Sequence, residues 1–205
     1  MLAVLLTSWL LMPIAPLNPV EQDTLASVNF HITAGMSGTN GILTEGPELS
    51  TKYELLLGHP YVIRAAAEYK LGEAISPLYP RGKLQTITFA FEGLYYRGTT
   101  ELLAYLGGGL IYAIHHFSPR ASTSDSLFST EQVTDIDVGQ KAGYRLVFGL
   151  RYLARYSIEM RITELHPSFI KSFRPDENSL GTRSTEVRAS SIALSFGYLI
   201  PIRRR

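Results

Sequence analysis

The chain has 205 residues, room for one domain of moderate size, and its 19 Lys and Arg against 18 Asp and Glu leave a net charge of +1. That balance argues against a nucleic-acid partner, because the basic residues alternate along the chain and do not gather on one face. The absence of Cys excludes a disulfide framework and thiolate metal sites, while 12 Tyr, 17 Gly and a mean hydropathy of only +0.06 point to greasy residues that are segregated along the chain.

Residues 1–17, MLAVLLTSWLLMPIAPL, are apolar and too short for a membrane helix, which needs about 20 residues. They resemble the h-region of a secretory signal peptide, although no Lys or Arg precedes the run and no small-x-small cleavage site follows it. With the polar stretch Pro19–Asp23, they make residues 1–24 a signal-like segment and lead-in, ahead of a folded domain over residues 25–200.

From Ser27 onward the side-chain period is two, the period of a strand. The first strand, Ser27–Met36, sets Val28, Phe30, Ile32 and Ala34 against Asn29, His31, Thr33 and Gly35, and a loop over Ser37–Thr51 follows. The second begins near Lys52, with Tyr53, Leu55 and Leu57 on one face and Glu54 on the other. After the turn Gly58-His59-Pro60, the third strand presents Tyr61, Ile63, Ala65, Ala67, Tyr69 and Leu71 against Arg64, Ala66, Glu68 and Lys70. A second loop covers Gly72–Gly82. The fourth strand, Leu84–Tyr96, sets Ile87, Phe89, Phe91 and Tyr95 against Thr86, Thr88 and Glu92, before a turn at Arg97–Thr100. The fifth, Glu101–Phe117, carries Leu102, Ala104, Leu106, Leu110, Tyr112 and Ile114 outward. Its Gly107-Gly108-Gly109 run predicts a bulge or a close approach.

A polar third loop spans Ser118–Ile136. The stretch Asp137–His166 then reads as a long hairpin turned at Leu153–Arg155. Val138, Ala142, Tyr144, Leu146, Phe148, Leu150 and Tyr152 alternate with Lys141, Arg145 and Arg151 in its first half; Ile158, Met160 and Ile162 alternate with Glu159 and Arg161 in its second. A fourth loop over Pro167–Ser184 leads to the eighth strand, Glu186–Ile200, and residues 201–205 form a short basic tail.

Strands of about ten residues are longer than the five or six usual in soluble sheets, and at a tilt near 45° they rise about 23 Å, close to the apolar band of a membrane barrel. The breaks after strands two, four and six are short and the others long, the rhythm of an up-and-down barrel with tight periplasmic turns and long outer loops. The expected fold is an all-β, eight-stranded antiparallel transmembrane barrel. Over residues 26–200 the pattern resembles the small outer-membrane barrels of the OmpA transmembrane-domain and OmpX type. That resemblance implies integral outer-membrane localisation, contact with lipid and lipopolysaccharide, delivery by the barrel-insertion machinery, a monomeric state and ligand binding, if any, through the long loops. Such barrels usually end in an aromatic residue; here Phe196-Gly197-Tyr198-Leu199-Ile200 resembles that ending, but Pro201-Ile202-Arg203-Arg204-Arg205 follows.

The parity directs Glu54, Arg64, Glu68, Lys70, Glu92, Lys141, Arg145, Arg151, Glu159 and Arg161 into the lumen. Side chains just fill the interior of an eight-stranded barrel, and buried charges there must pair. The expected lumen is therefore an ionic plug that does not conduct, without cofactor or metal. Two alternatives remain. His116, Ser118 and Glu131, 13 residues beyond the serine, have the residue types of a base, nucleophile and orienting carboxylate, and the H-x-S spacing resembles outer-membrane lipid A deacylases. That family places Asn after its Ser, where this chain has Pro119. A soluble lipocalin-like barrel would instead turn the greasy face inward around a ligand.

Overall fold

The computed structural model describes residues 28–40, 46–58, 60–74, 82–99, 101–119, 132–138, 140–153, 155–165, 168–176, 179–186 and 189–202. The signal-like segment, Glu131 and Arg203–Arg205 lie outside the described residues. Eleven strands run in chain order: β1 (Val28–Asn40), β2 (Gly46–Gly58), β3 (Tyr61–Ala74), β4 (Gly82–Gly98), β5 (Leu102–Pro119), β6 (Gln132–Val138), β7 (Lys141–Tyr152), β8 (Tyr156–Leu165), β9 (Ser168–Asp176), β10 (Ser179–Glu186) and β11 (Ala189–Ile202). Eight of them close a barrel in the order β1-β11-β8-β7-β5-β4-β3-β2, and every neighbouring pair is antiparallel. A closed all-β barrel leaves no sheet edge unpaired, which is the condition for strands to cross a bilayer.

The alternation dictates what each face meets. Along β4, Leu84, Thr86, Thr88, Ala90, Glu92, Leu94 and Tyr96 are buried, while Ile87, Phe89 and Phe91 are exposed. Large apolar side chains cover the outside all round the barrel, led by Leu110 at 73% exposure and Phe91 at 61%. Tyrosines concentrate near the tight turns, where cross-strand neighbours pair edge to face: Tyr61 with Tyr95 at 5.7 Å, and Tyr156 with Tyr198 at 5.6 Å. Such a belt, greasy in the middle and aromatic at the rim, matches lipid and its headgroup boundary, whereas water would penalise an apolar surface of that extent.

The structure corrects the sequence-based boundaries in five places. The third and fourth loops contain strands: β6, β9 and β10 form a separate three-stranded sheet in the order β10-β9-β6. These segments are rich in Ser, Thr and charge, which reads as loop, yet a sheet outside the bilayer needs no lipid-facing stripe. The long hairpin accordingly begins at Lys141, not Asp137, since Asp137 and Val138 belong to β6. β1 and β2 extend to Asn40 and from Gly46, through most of the stretch read as a loop. The eighth barrel strand starts at Ala189 and runs on through Pro201 to Ile202, so the first two residues of the proposed tail belong to the wall. Pro47 and Pro201 explain two of these misplacements. Each pairs with β1 alone, Pro47 with Met36 and Pro201 with Asn29, beyond the point where the strand's other neighbour stops. A missing N–H is harmless at such a position. Finally, Gly107–Gly109 keeps an unbroken register with β4 and β7, so the run marks close approach and not a bulge.

Candidate functional site in the barrel lumen

Register builds the charged centre directly. Glu54, Arg64 and Glu92 are direct cross-strand neighbours on β2, β3 and β4, and all three face inward. Arg64 donates from Nε to Glu92 Oε2 at 2.5 Å and from one terminal nitrogen to Glu159 Oε2 at 2.5 Å, with Glu54 a further 3.8 Å contact. Glu159 reaches across the lumen from β8 and also accepts from Lys52 Nζ at 2.6 Å. Arg145 grips Glu68 with both terminal nitrogens, at 2.6 and 2.7 Å, and adds Glu92 at 3.3 Å. Arg151 donates to Glu54 Oε2 at 2.5 Å, and Arg161 joins Glu48 to Glu68. Lys52, Arg64, Arg145, Arg151 and Arg161 thus meet Glu48, Glu54, Glu68, Glu92 and Glu159, five charges of each sign. The balance matters: a surplus charge of either sign at this depth would be strongly penalised.

Toward the tight turns the ionic layer rests on a floor. Val62, Leu94, Tyr96, Leu103, Tyr105 and Val147 form one buried cluster. Its two tyrosines fix the floor to the charges above. Tyr105 donates its hydroxyl to Glu159 Oε2 at 2.8 Å; Tyr96 donates to Glu54 Oε1 at 3.2 Å and accepts from Arg151 at 2.8 Å. The Arg151 guanidinium also lies 5.0 Å above the Tyr96 ring centroid, within cation–π range. Tyr105 fits because its neighbour across the β5–β7 pair is Gly149, where a Cβ would stand 2.1 Å from the ring. On the opposite wall His31 is fully buried and shares a 2.6 Å hydrogen bond with Ser157, beside the fully buried Leu199.

Toward the long loops the filling loosens into a cavity of about 60 Å³, lined among others by Lys70, Thr86, Thr88, His115, Thr163 and Ser191 above the Arg145–Glu68 and Arg161–Glu48 pairs. That is space for a few water molecules.

Of the residues directed inward by parity, Glu54, Arg64, Glu68, Glu92, Arg145, Arg151, Glu159 and Arg161 lie together in the buried network. Lys70 and Lys141 sit half-buried nearer the long loops, outside it. Glu48, Lys52, Tyr96 and Tyr105 complete the network but escape the sequence reading. Glu48 fell in a stretch read as loop, whereas Lys52 shares Glu54's parity two residues earlier and could have been found by extending the alternation. His116 and Ser118 are both exposed on the outer face of β5, and no hydrogen bond joins them; Glu131 lies outside the described residues. Among the described residues, no group of three or more His, Cys, Asp or Glu is arranged to hold a metal ion. The lipocalin-like alternative is reversed in fact: the charges are inside and the greasy residues outside.

No protein-family model and no curated protein matches the sequence. Solved structures do share its fold. The outer membrane protein OprG from Pseudomonas aeruginosa superposes with a TM-score of 0.58 at 14% identity, covering 86% of this chain and 98% of its own. Neisserial surface protein A gives 0.53 at 12% identity over 86% and 98% of the two chains. The outer membrane protein AlkL, solved in lipid bilayers, gives 0.53 at 12% identity over 94% and 99%. The fold is that of the small eight-stranded outer-membrane barrels. With its lipid-matched exterior, the chain is an integral outer-membrane barrel.

Proposed function

We propose that this protein is a closed-lumen barrel of the OmpA and OmpX kind, which works at the outer surface of the membrane and not as a diffusion pore. The observation that supports the reading is the five-on-five ionic network seated on an apolar, tyrosine-capped floor, which leaves no obvious aqueous path between the two ends of the described lumen. A conducting channel needs polar walls with water between them, whereas here each charged group is occupied by another. The wall anchors a monomer among lipid and lipopolysaccharide, and the long-loop side, with its additional sheet β6-β9-β10, presents the surface to an extracellular ligand.

Planar-bilayer recording on the refolded protein tests the reading. The expected trace is free of large, stable steps at moderate voltage. Sustained openings of porin size would overturn the closed lumen.

A further inference from the structure

The cavity beneath the long loops carries a feature that the ionic plug does not use. Lys70, Thr86 and His115 are cross-strand neighbours on β3, β4 and β5, in a row along the cavity wall. His115 is only 8% exposed; its Nδ1 shares a 3.0 Å hydrogen bond with the Thr86 hydroxyl, and its Nε2 is buried with no partner. A buried imidazole nitrogen without a partner forfeits the hydrogen bond that water would give it, unless something in the cavity supplies one. The two carboxylates on the same cavity, Glu48 and Glu68, are already taken by Arg161 and Arg145. Lys70, by contrast, has no carboxylate within ion-pair distance among the described residues, and is the surplus positive charge of the cavity: Lys70, Arg145 and Arg161 against Glu48 and Glu68.

We propose that this vestibule binds a small monocarboxylate, held by the Lys70 ammonium and the His115 Nε2–H, with Thr86 donating to Nδ1 and so fixing the tautomer that leaves Nε2 a donor. One surplus cation matches one negative charge. The hydroxyl of Ser191 adds a donor across the cavity, while Leu84 on β4 and Leu165 on β8, which also line it, accept a short apolar tail. A dianion such as phosphate would bring a second negative charge beside Glu48 and Glu68 with no cation to meet it.

The test is NMR of histidine-labelled protein, folded in micelles, titrated at constant ionic strength with sodium propionate and, separately, inorganic phosphate. His115→Phe assigns the His115 signal. A saturable shift of that signal with propionate is expected, with affinity falling at least tenfold in Lys70→Gln and several-fold in Thr86→Val. Heat-modifiable gel migration checks that each variant is folded, and if Lys70→Gln does not fold, Thr86→Val decides. The absence of a saturable propionate shift overturns the proposal, as does unchanged affinity in the folded variants. Equal or tighter binding of phosphate overturns the carboxylate assignment.

Discussion

At the tight-turn end of the lumen, Tyr96, Leu103, Tyr105 and Leu199 fill the barrel with side chains no more than 4% exposed, and the two tyrosine hydroxyls are spent on the charges above. At the long-loop end the same eight strands hold a half-buried lysine, a histidine with an unused nitrogen and room for water. Backbone architecture is common to both halves; what differs is whether the inward residues satisfy one another. Where they do, the lumen is packed, and where they do not, it keeps a cavity. An interior of fixed width can therefore be filled at one end and hollow at the other through the choice of inward side chain alone.

Substitutions in three layers of the lumen probe that contrast, in order of expected effect on stability. Glu159→Gln strips a shared partner from Lys52 and Arg64 and leaves buried cations under-compensated, which is expected to cost about 3–5 kcal/mol in urea unfolding from detergent. Pairing it with Lys52→Met is expected to recover part of the loss, because the second change removes one of the stranded charges; no recovery would mean that the pair is not coupled. Next comes the floor. Gly149→Ala drives a methyl into the Tyr105 ring and is expected to cost about 1–3 kcal/mol, relieved when Tyr105 is replaced by Leu. Removing both floor rings, as Tyr96→Ala with Tyr105→Ala, is expected to raise bilayer conductance above the wild-type level, and an unchanged trace would place the seal elsewhere. The smallest effect belongs to the vestibule. Thr86→Val removes a hydrogen bond at the cavity wall and is expected to change stability by no more than about 0.5–1.5 kcal/mol, with conductance unaltered. The outer wall supplies a control for all three: Leu110→Arg sets a charge on the lipid face near mid-strand and is expected to cost about 2–4 kcal/mol in refolding into vesicles, without touching the lumen.

The barrel was legible in the sequence because lipid outside and charge inside impose a period of two wherever a strand crosses the membrane. A helix would set Phe148 between Arg145 and Arg151 on one face, whereas a period of two separates Leu146, Phe148 and Leu150 from both arginines. Legibility failed where that constraint lapses. Beyond the bilayer no lipid selects one face of a strand, so β9 and β10 show no sustained alternation to distinguish them from loops, Asp137 and Val138 of β6 read as the start of the hairpin, and Gly, Ser, Thr and Pro interrupt the pattern at the outer ends of β1 and β2, where Glu48 lies. Tyr96 and Tyr105 were obscured for another reason: tyrosine is equally at home at a lipid boundary and in a packed lumen, and only the register shows which it meets. Which cation meets which carboxylate is a property of closure, and alternation along a strand cannot convey it.

The pairings have a kinetic consequence as well. Lys52 meets Glu159 across 107 residues of chain, Arg151 meets Glu54 across 97, and Arg161 meets Glu68 across 93. None of these three pairs shares a hairpin, so although Arg64 meets Glu92 within the β3–β4 hairpin, Lys52, Glu54 and Glu68 wait for these partners until β7 and β8 face them across the lumen. Neutralisation of the interior is then the event that completes assembly, and it comes late, after the longest loops have closed. A barrel wired in this way gains little from partial folding in the membrane: its ionic core acts as a latch that engages only when the circle of strands is whole.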